Sequence, residues 1–115
     1  MQKSNVNADI KSYSDGELRK IRKELTPLQE QILKALYTNP IYTRDTLSLE
    51  NEVVKQVNYL KIIEVKEAIN VLRDKKLLKT DGIVSVSMTS LTINGIYLFL
   101  VTELRKDVTV KTFQS

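Results

Sequence analysis

Cysteine and histidine are both absent from the 115-residue chain. Their absence excludes disulfides, thiol nucleophiles, haem ligation, ordinary zinc sites and every catalytic triad that relies on an imidazole. Glycine is scarce: Gly16, Gly82 and Gly95 stand far apart, so no glycine-rich loop is available to cradle a phosphate. Long apolar runs are also missing. The most apolar stretch, residues 91–101, is interrupted by Thr92, Asn94 and Gly95 and falls well short of the roughly 20 residues that cross a bilayer. The opening residues are polar and carry no signal-peptide core. The carboxylate pairs Glu50/Glu52 and Glu64/Glu67 fall on expected helix surfaces rather than in an apolar cleft, and Ser14, Thr26 and Ser48 read as helix caps with no base to activate them. These absences predict a protein that is not an enzyme, has no cofactor, metal or membrane partner, and resides in the cytoplasm or on the nucleoid.

What remains is sufficient for one compact domain. Apolar residues make up 42% of the chain, mostly Leu, Ile and Val, so a true core can form. Eighteen Lys and Arg face 14 Asp and Glu, and the net charge of +4 mildly favours a polyanionic partner.

Residues 1–13 are polar and read as a flexible N-terminal arm. Ser14 and Glu17 have capping-box spacing and open a first helix, whose Leu18, Ile21 and Leu25 form one apolar stripe. Thr26, Pro27 and Gln29 open a second helix that Asn39-Pro40 ends. Residues 41–47 are a connector or a short strand. A third helix is expected near Ser48, with Glu50 and Glu52 in its first turn. A fourth spans about 62–76; residues 58–61 are the preferred turn between the two, although a single long helix also fits. Asp81-Gly82 is a strong two-residue hairpin signal, and Val84, Val86 and Met88 alternate with polar residues as a half-buried strand does. Thr92 caps a last helix reaching about Lys106, followed by a tail or a weak final strand. The expected division is therefore an arm over 1–13, a domain over 14–107 and a tail over 108–115.

Three runs in this order carry a family resemblance. Ile69–Leu78, reading INVLRDKKLL, is similar to the end of a winged-helix recognition helix; Lys79–Met88 looks like a short wing; and Leu91-Thr-Ile-Asn-Gly resembles the entry into the last helix of MarR- and PadR-type transcription regulators. Lys76 departs from the glycine common at that helix end. The resemblance implies a mainly α fold with a small β-hairpin wing: a winged helix-turn-helix with an added N-terminal helix and a C-terminal dimerisation helix. It also implies binding of duplex DNA as a homodimer, with one helix in the major groove and the wing on the backbone.

The residues themselves speak less uniformly. Lys66, Asn70 and Arg73 fit a groove-reading helix, whereas Glu64, Glu67 and Asp74 would be repelled by phosphates. Lys75, Lys76 and Lys79 crowd the base of the expected wing, where they suit phosphates, or simply complement a helix C-terminus. Arg19, Lys20, Arg22 and Lys23 form a second cluster, either a further backbone contact or a solvated helix face. The last helix is apolar on nearly all sides, which predicts a dimer interface through Ile96, Leu98, Phe99, Leu100 and Val101; the alternative is a central core helix sandwiched within one chain. Such an interface is also a place for a small-molecule effector, which the sequence does not identify. The acidic content of the fourth helix motivates a second reading: a winged-helix module for protein–protein interaction or assembly that makes no direct DNA contact.

Overall fold

A computed structural model describes residues 10–56, 61–83 and 86–114, and the side chains of 10–56, 61–82 and 87–103. Among these residues, five helices and three strands follow one another as α1 (Asp15–Glu24), α2 (Pro27–Tyr37), β1 (Thr43–Asp45), α3 (Thr46–Gln56), α4 (Ile62–Asp74), β2 (Leu78–Ile83), β3 (Val86–Leu91) and α5 (Ile93–Gln114). This is the winged helix-turn-helix that the sequence predicts, with helices before and after it.

Local chemistry fixes the helix starts. Ser14 Oγ accepts from Glu17 N at 3.1 Å while Ser14 N donates to Glu17 Oε1 at 2.8 Å. Thr26 and Gln29 form the same reciprocal pair at 3.1 and 3.0 Å, with Pro27 in the first helical position. α3 starts earlier than Ser48, because the Asp45 carboxylate accepts from Ser48 N at 3.0 Å and caps the helix from the end of β1. Glu50 and Glu52 consequently lie past the first turn, contrary to expectation. α3 and α4 are two helices, and residues 57–60, including most of the expected turn, lie outside the described residues.

The sheet is antiparallel, in the order β1-β3-β2. Its register corrects the expected turn. Asp81 pairs with Met88, Gly82 with Ser87 and Ile83 with Val86, so Asp81-Gly82 lies within strand β2 and no glycine has positive φ. Ile83 and Val86 are the last described pair, and residues 84 and 85 between them lie outside the described residues. Buried Leu78 faces buried Leu91 at the base of the hairpin, and this apolar pairing sets the register over the preference of the Asp-Gly dipeptide.

The core lies where α1 to α5 meet the base of the hairpin. Leu18 of α1, Ile32 and Leu36 of α2, Val53 of α3, Val65 and Leu72 of α4, and Leu98 of α5 are fully buried; each such side chain contributes about 1.5–3 kcal/mol.

The ends also differ from expectation. Residues 1–9 of the supposed arm lie outside the described residues, but Ser12 N donates to Asn94 Oδ1 at 2.8 Å and Tyr13 Oη to the Lys75 carbonyl at 2.8 Å, so the chain is fastened before α1 begins. α5 continues without a break to Gln114 in place of an end near Lys106 and a separate tail. No Gly or Pro follows Gly95 to stop it.

Candidate nucleic-acid interface

α4 turns Val65, Ala68, Ile69 and Leu72 inward. Its exposed positions include Ile63, Glu64, Lys66, Glu67, Asn70, Val71, Arg73 and Asp74. The expected groove readers are brought to this surface, but two of them are engaged within the chain. Lys66 Nζ stands 3.2 Å from both carboxylate oxygens of Glu50, whose side chain is only 4% exposed. Arg73 donates from Nη1 to Thr80 Oγ1 and from Nη2 to Asn70 Oδ1, both at 3.0 Å, and so joins α4 to the first strand of the hairpin. Asn70 Oδ1 thus accepts from Arg73, and its amide NH2 is a donor on the exposed side of α4.

The end of α4 carries the cationic part of the surface. Leu77 N donates to Leu72 O at 3.0 Å and Lys76 N to Arg73 O at 2.9 Å, the bond pair of a Schellman stop. This stop places Lys76 in the left-handed region at φ 65. Glycine adopts that conformation at little cost; a side chain does so at about 1–2 kcal/mol. Lys76 is exposed, and Lys75 and Lys79 are half-buried. The three lysines therefore sit at the joint of helix and hairpin.

The first turn of α5 locks that joint. Thr92 Oγ1 donates to the Lys76 carbonyl at 2.6 Å and accepts from Gly95 N at 3.2 Å, while Thr92 N donates to Leu77 O at 3.1 Å. A Cβ on Gly95 would lie 2.4 Å from Leu77 O. The Leu-Thr-x-x-Gly run thus has a physical basis: a threonine that caps one helix while bonding the end of another, and a glycine that admits the backbone between them.

The second cluster divides. Lys20 and Lys23 are exposed and Arg19 is half-buried on α1, but Arg22 is folded inward with 14% of its side chain exposed. Its Nε and Nη2 donate to Glu30 Oε2 at 2.9 and 2.7 Å, Nη1 donates to Thr102 Oγ1 at 2.7 Å, and its guanidinium lies 4.8 Å from the centre of the Phe99 ring. Arg22 braces α1, α2 and α5 and does not belong to an outward basic face. The expected dimer residues need a similar correction. Leu98 and Phe99 are buried within their own chain, because α1 packs along α5 and the Phe99 ring stacks on Tyr37 at 4.4 Å. Ile96, Leu100 and Val101 are half-buried, and Ile93 and Tyr97 are the more open apolar positions on that helix.

Sequence reasoning missed the buried Glu50, the Arg44–Glu52 ion pair and the bonding role of Asn94. The signal for Glu50 was its position one turn before Val54, on the side of α3 that faces the protein.

No protein-family model matches the chain, and no curated protein matches it in sequence. Solved structures do match its shape. TubR from Bacillus megaterium pBM400 aligns with a TM-score of 0.61 at 16% identity, over 73% of this chain and 92% of that one. Lactococcus lactis ZitR, a zinc-responsive MarR family member, aligns at 0.54 and 21% identity over 79% of this chain, which spans 60% of ZitR. MepR, a transcription regulator of the Staphylococcus aureus multidrug efflux pump MepA, aligns at 0.54 and 17% identity, over 84% of this chain and 74% of that one. The winged-helix architecture of MarR-type proteins is therefore the fold of this chain.

Proposed function

We propose that this protein is a transcription regulator that binds duplex DNA as a homodimer, presenting α4 to the major groove and the α4–hairpin joint to the phosphates. The observation that carries the reading is the placement of Lys75, Lys76 and Lys79 at the joint of a winged helix. MepR, described as a transcription regulator, supports it by likeness of fold. Asn70 reads a base edge through its amide NH2, Arg73 holds Asn70 and the hairpin in register, and Lys66 flanks the groove while remaining tied to Glu50. Arg19, Lys20 and Lys23 offer a second, weaker phosphate contact.

The partner protomer covers Ile93, Tyr97 and Leu100 of α5, with Ile96 and Val101 at the margin. A two-fold dimer of this kind selects a pseudo-palindromic site. The chain acts in the cytoplasm, on the nucleoid. The zinc response of ZitR is not carried over, since this chain has neither of the side chains, Cys and His, that ordinary zinc sites use.

Fluorescence anisotropy with a duplex of about three helical turns tests the reading. Three lysines in each of two protomers predict a slope of about −5 in log affinity against log salt. Absence of binding even at low salt rejects it. A second reading draws on the exposed Ile63 and Val71 among Glu64, Glu67 and Asp74, a face suited to a protein partner. Charge reversal at Lys75 and Lys76 separates the two: it abolishes DNA binding under the first and leaves partner binding intact under the second.

A further inference from the structure

Past the Schellman stop, the chain crosses from α4 to β2 through Lys75, Lys76 and Leu77, whose carbonyls lie beyond the helix's own bonds and before the strand's register begins at Leu78. All three carbonyls are nevertheless bonded, and none by a neighbour in sequence. Tyr13 Oη donates to Lys75 O at 2.8 Å. Thr92 Oγ1 and Asn94 Nδ2 donate to Lys76 O at 2.6 and 3.2 Å, and Thr92 N donates to Leu77 O at 3.1 Å. Asn94 is fully buried and is itself held from the other side: Ser12 N donates to its Oδ1 at 2.8 Å, and its Nδ2 donates to Ser12 Oγ at 3.0 Å. Lys11 anchors the same segment, with Nζ 3.3 Å from Asp15 Oδ1 and 5.4 Å from the centre of the Tyr97 ring.

We propose that residues 11–13 and Asn94 form a strap that fixes the backbone of Lys75, Lys76 and Leu77, so that Tyr13 and Asn94 are positioning residues for phosphate contact although neither touches DNA. The consequence for DNA rests on the function proposed above; the mechanical part does not. Lys76 is a non-glycine residue at φ 65, a conformation that persists only where its surroundings over-determine it. The strap supplies that determination from a segment about 60 residues away in sequence. Lysine carries its ammonium on a flexible four-carbon stem, so binding a phosphate costs ordering entropy in stem and backbone alike. Holding two adjacent lysines therefore reduces the ordering that phosphate binding would otherwise require.

The test uses Tyr13→Phe in the full chain, which removes one hydroxyl and keeps the ring, alongside Asn94→Ala. Native-state amide exchange at residues 76–79 is expected to quicken about tenfold in Tyr13→Phe while the core amides of α2 keep their protection. The salt slope of duplex binding is expected to become shallower by about two, because the slope counts phosphates neutralised and is insensitive to the fraction folded. Unchanged exchange at the joint overturns the strap. Faster exchange with an unchanged slope overturns its role in aiming the lysines. If the wild-type protein binds no duplex, the DNA reading fails on its own and the exchange data still decide whether the strap holds the joint. Should Asn94→Ala fail to fold, Tyr13→Phe alone decides between these outcomes.

Discussion

Two stretches of this chain are similarly rich in cations, and the fold treats them in opposite ways. At the α4–hairpin joint, Lys76 is exposed while the backbone beneath it is bonded at every carbonyl. On α1, Arg22 is drawn into the protein, bonded to Glu30 and Thr102 and stacked on Phe99, while Lys20 and Lys23 stay in solvent. The difference lies in helical phase. Arg22 falls four residues after Leu18 and three before Leu25, on the same stripe that packs against α5. Charge density in a sequence identifies a basic segment; phase against the apolar stripe decides which cations bind within the chain and which remain for a partner.

The sharpest way to break this comparison is at the joint. Gly95→Ala places a methyl group 2.4 Å from Leu77 O, against backbone that cannot swing aside. It is expected to destabilise the protein by about 1–3 kcal/mol in urea unfolding and to weaken duplex binding even where the protein remains folded. Next comes the brace. Arg22→Ala leaves Glu30 and Thr102 without their shared donor and is expected to cost about 1–2 kcal/mol, against less than about 0.5 for Lys20→Ala. Equal losses at the two positions would erase the distinction between inward and outward cations. In DNA titrations the order reverses: Lys76→Ala is expected to flatten the salt slope by about one per protomer, and Arg22→Ala to leave it unchanged.

A smaller effect of opposite sign is expected from Lys76→Gly, which relieves the left-handed conformation. Chemical denaturation should show a gain of about 1 kcal/mol, with the same flattened slope as the alanine variant. The smallest is a pH effect on α1. The backbone amide of Ser14, then its hydroxyl, holds the Glu17 carboxyl below its usual pKa. A depressed folded-state pKa means that the cap's contribution is present above about pH 4.5 and fades as pH falls through the folded value. Far-UV circular dichroism should register fraying of α1 in acid; Ser14→Ala, which keeps the backbone amide, should weaken that pH dependence, and Glu17→Gln should remove it.

Much of the fold was legible because local chemistry and hydrophobic phase agreed. The capping residues Ser14, Thr26 and Thr92, the Pro40 stop and the inward stripe of α4 all stand where the sequence puts them. The misses occurred where a local signal competed with a distant one. Asp81-Gly82 is a good turn, but pairing Leu78 with Leu91 carries strand β2 through it to Ile83. Leu98 and Phe99 read as uncovered only because nothing local shows α1 returning to pack on them. The candidate site was less legible than the fold: residue types at positions 66 and 73 suggested DNA contact, while their bonds to Glu50, Thr80 and Asn70 depend on elements brought together only by folding.

The pairing of Lys66 with Glu50 has an evolutionary corollary. A carboxylate that is 4% exposed requires its cation, so a change at position 66 strands a charge inside the protein unless position 50 changes as well. Positions 63, 67, 70 and 74 lie on the same helix with exposed side chains, while the Glu50 carboxylate is paired with Lys66. Single replacements at those four places leave the Glu50 carboxylate paired, whereas position 66 can be rewritten only by a coordinated double replacement.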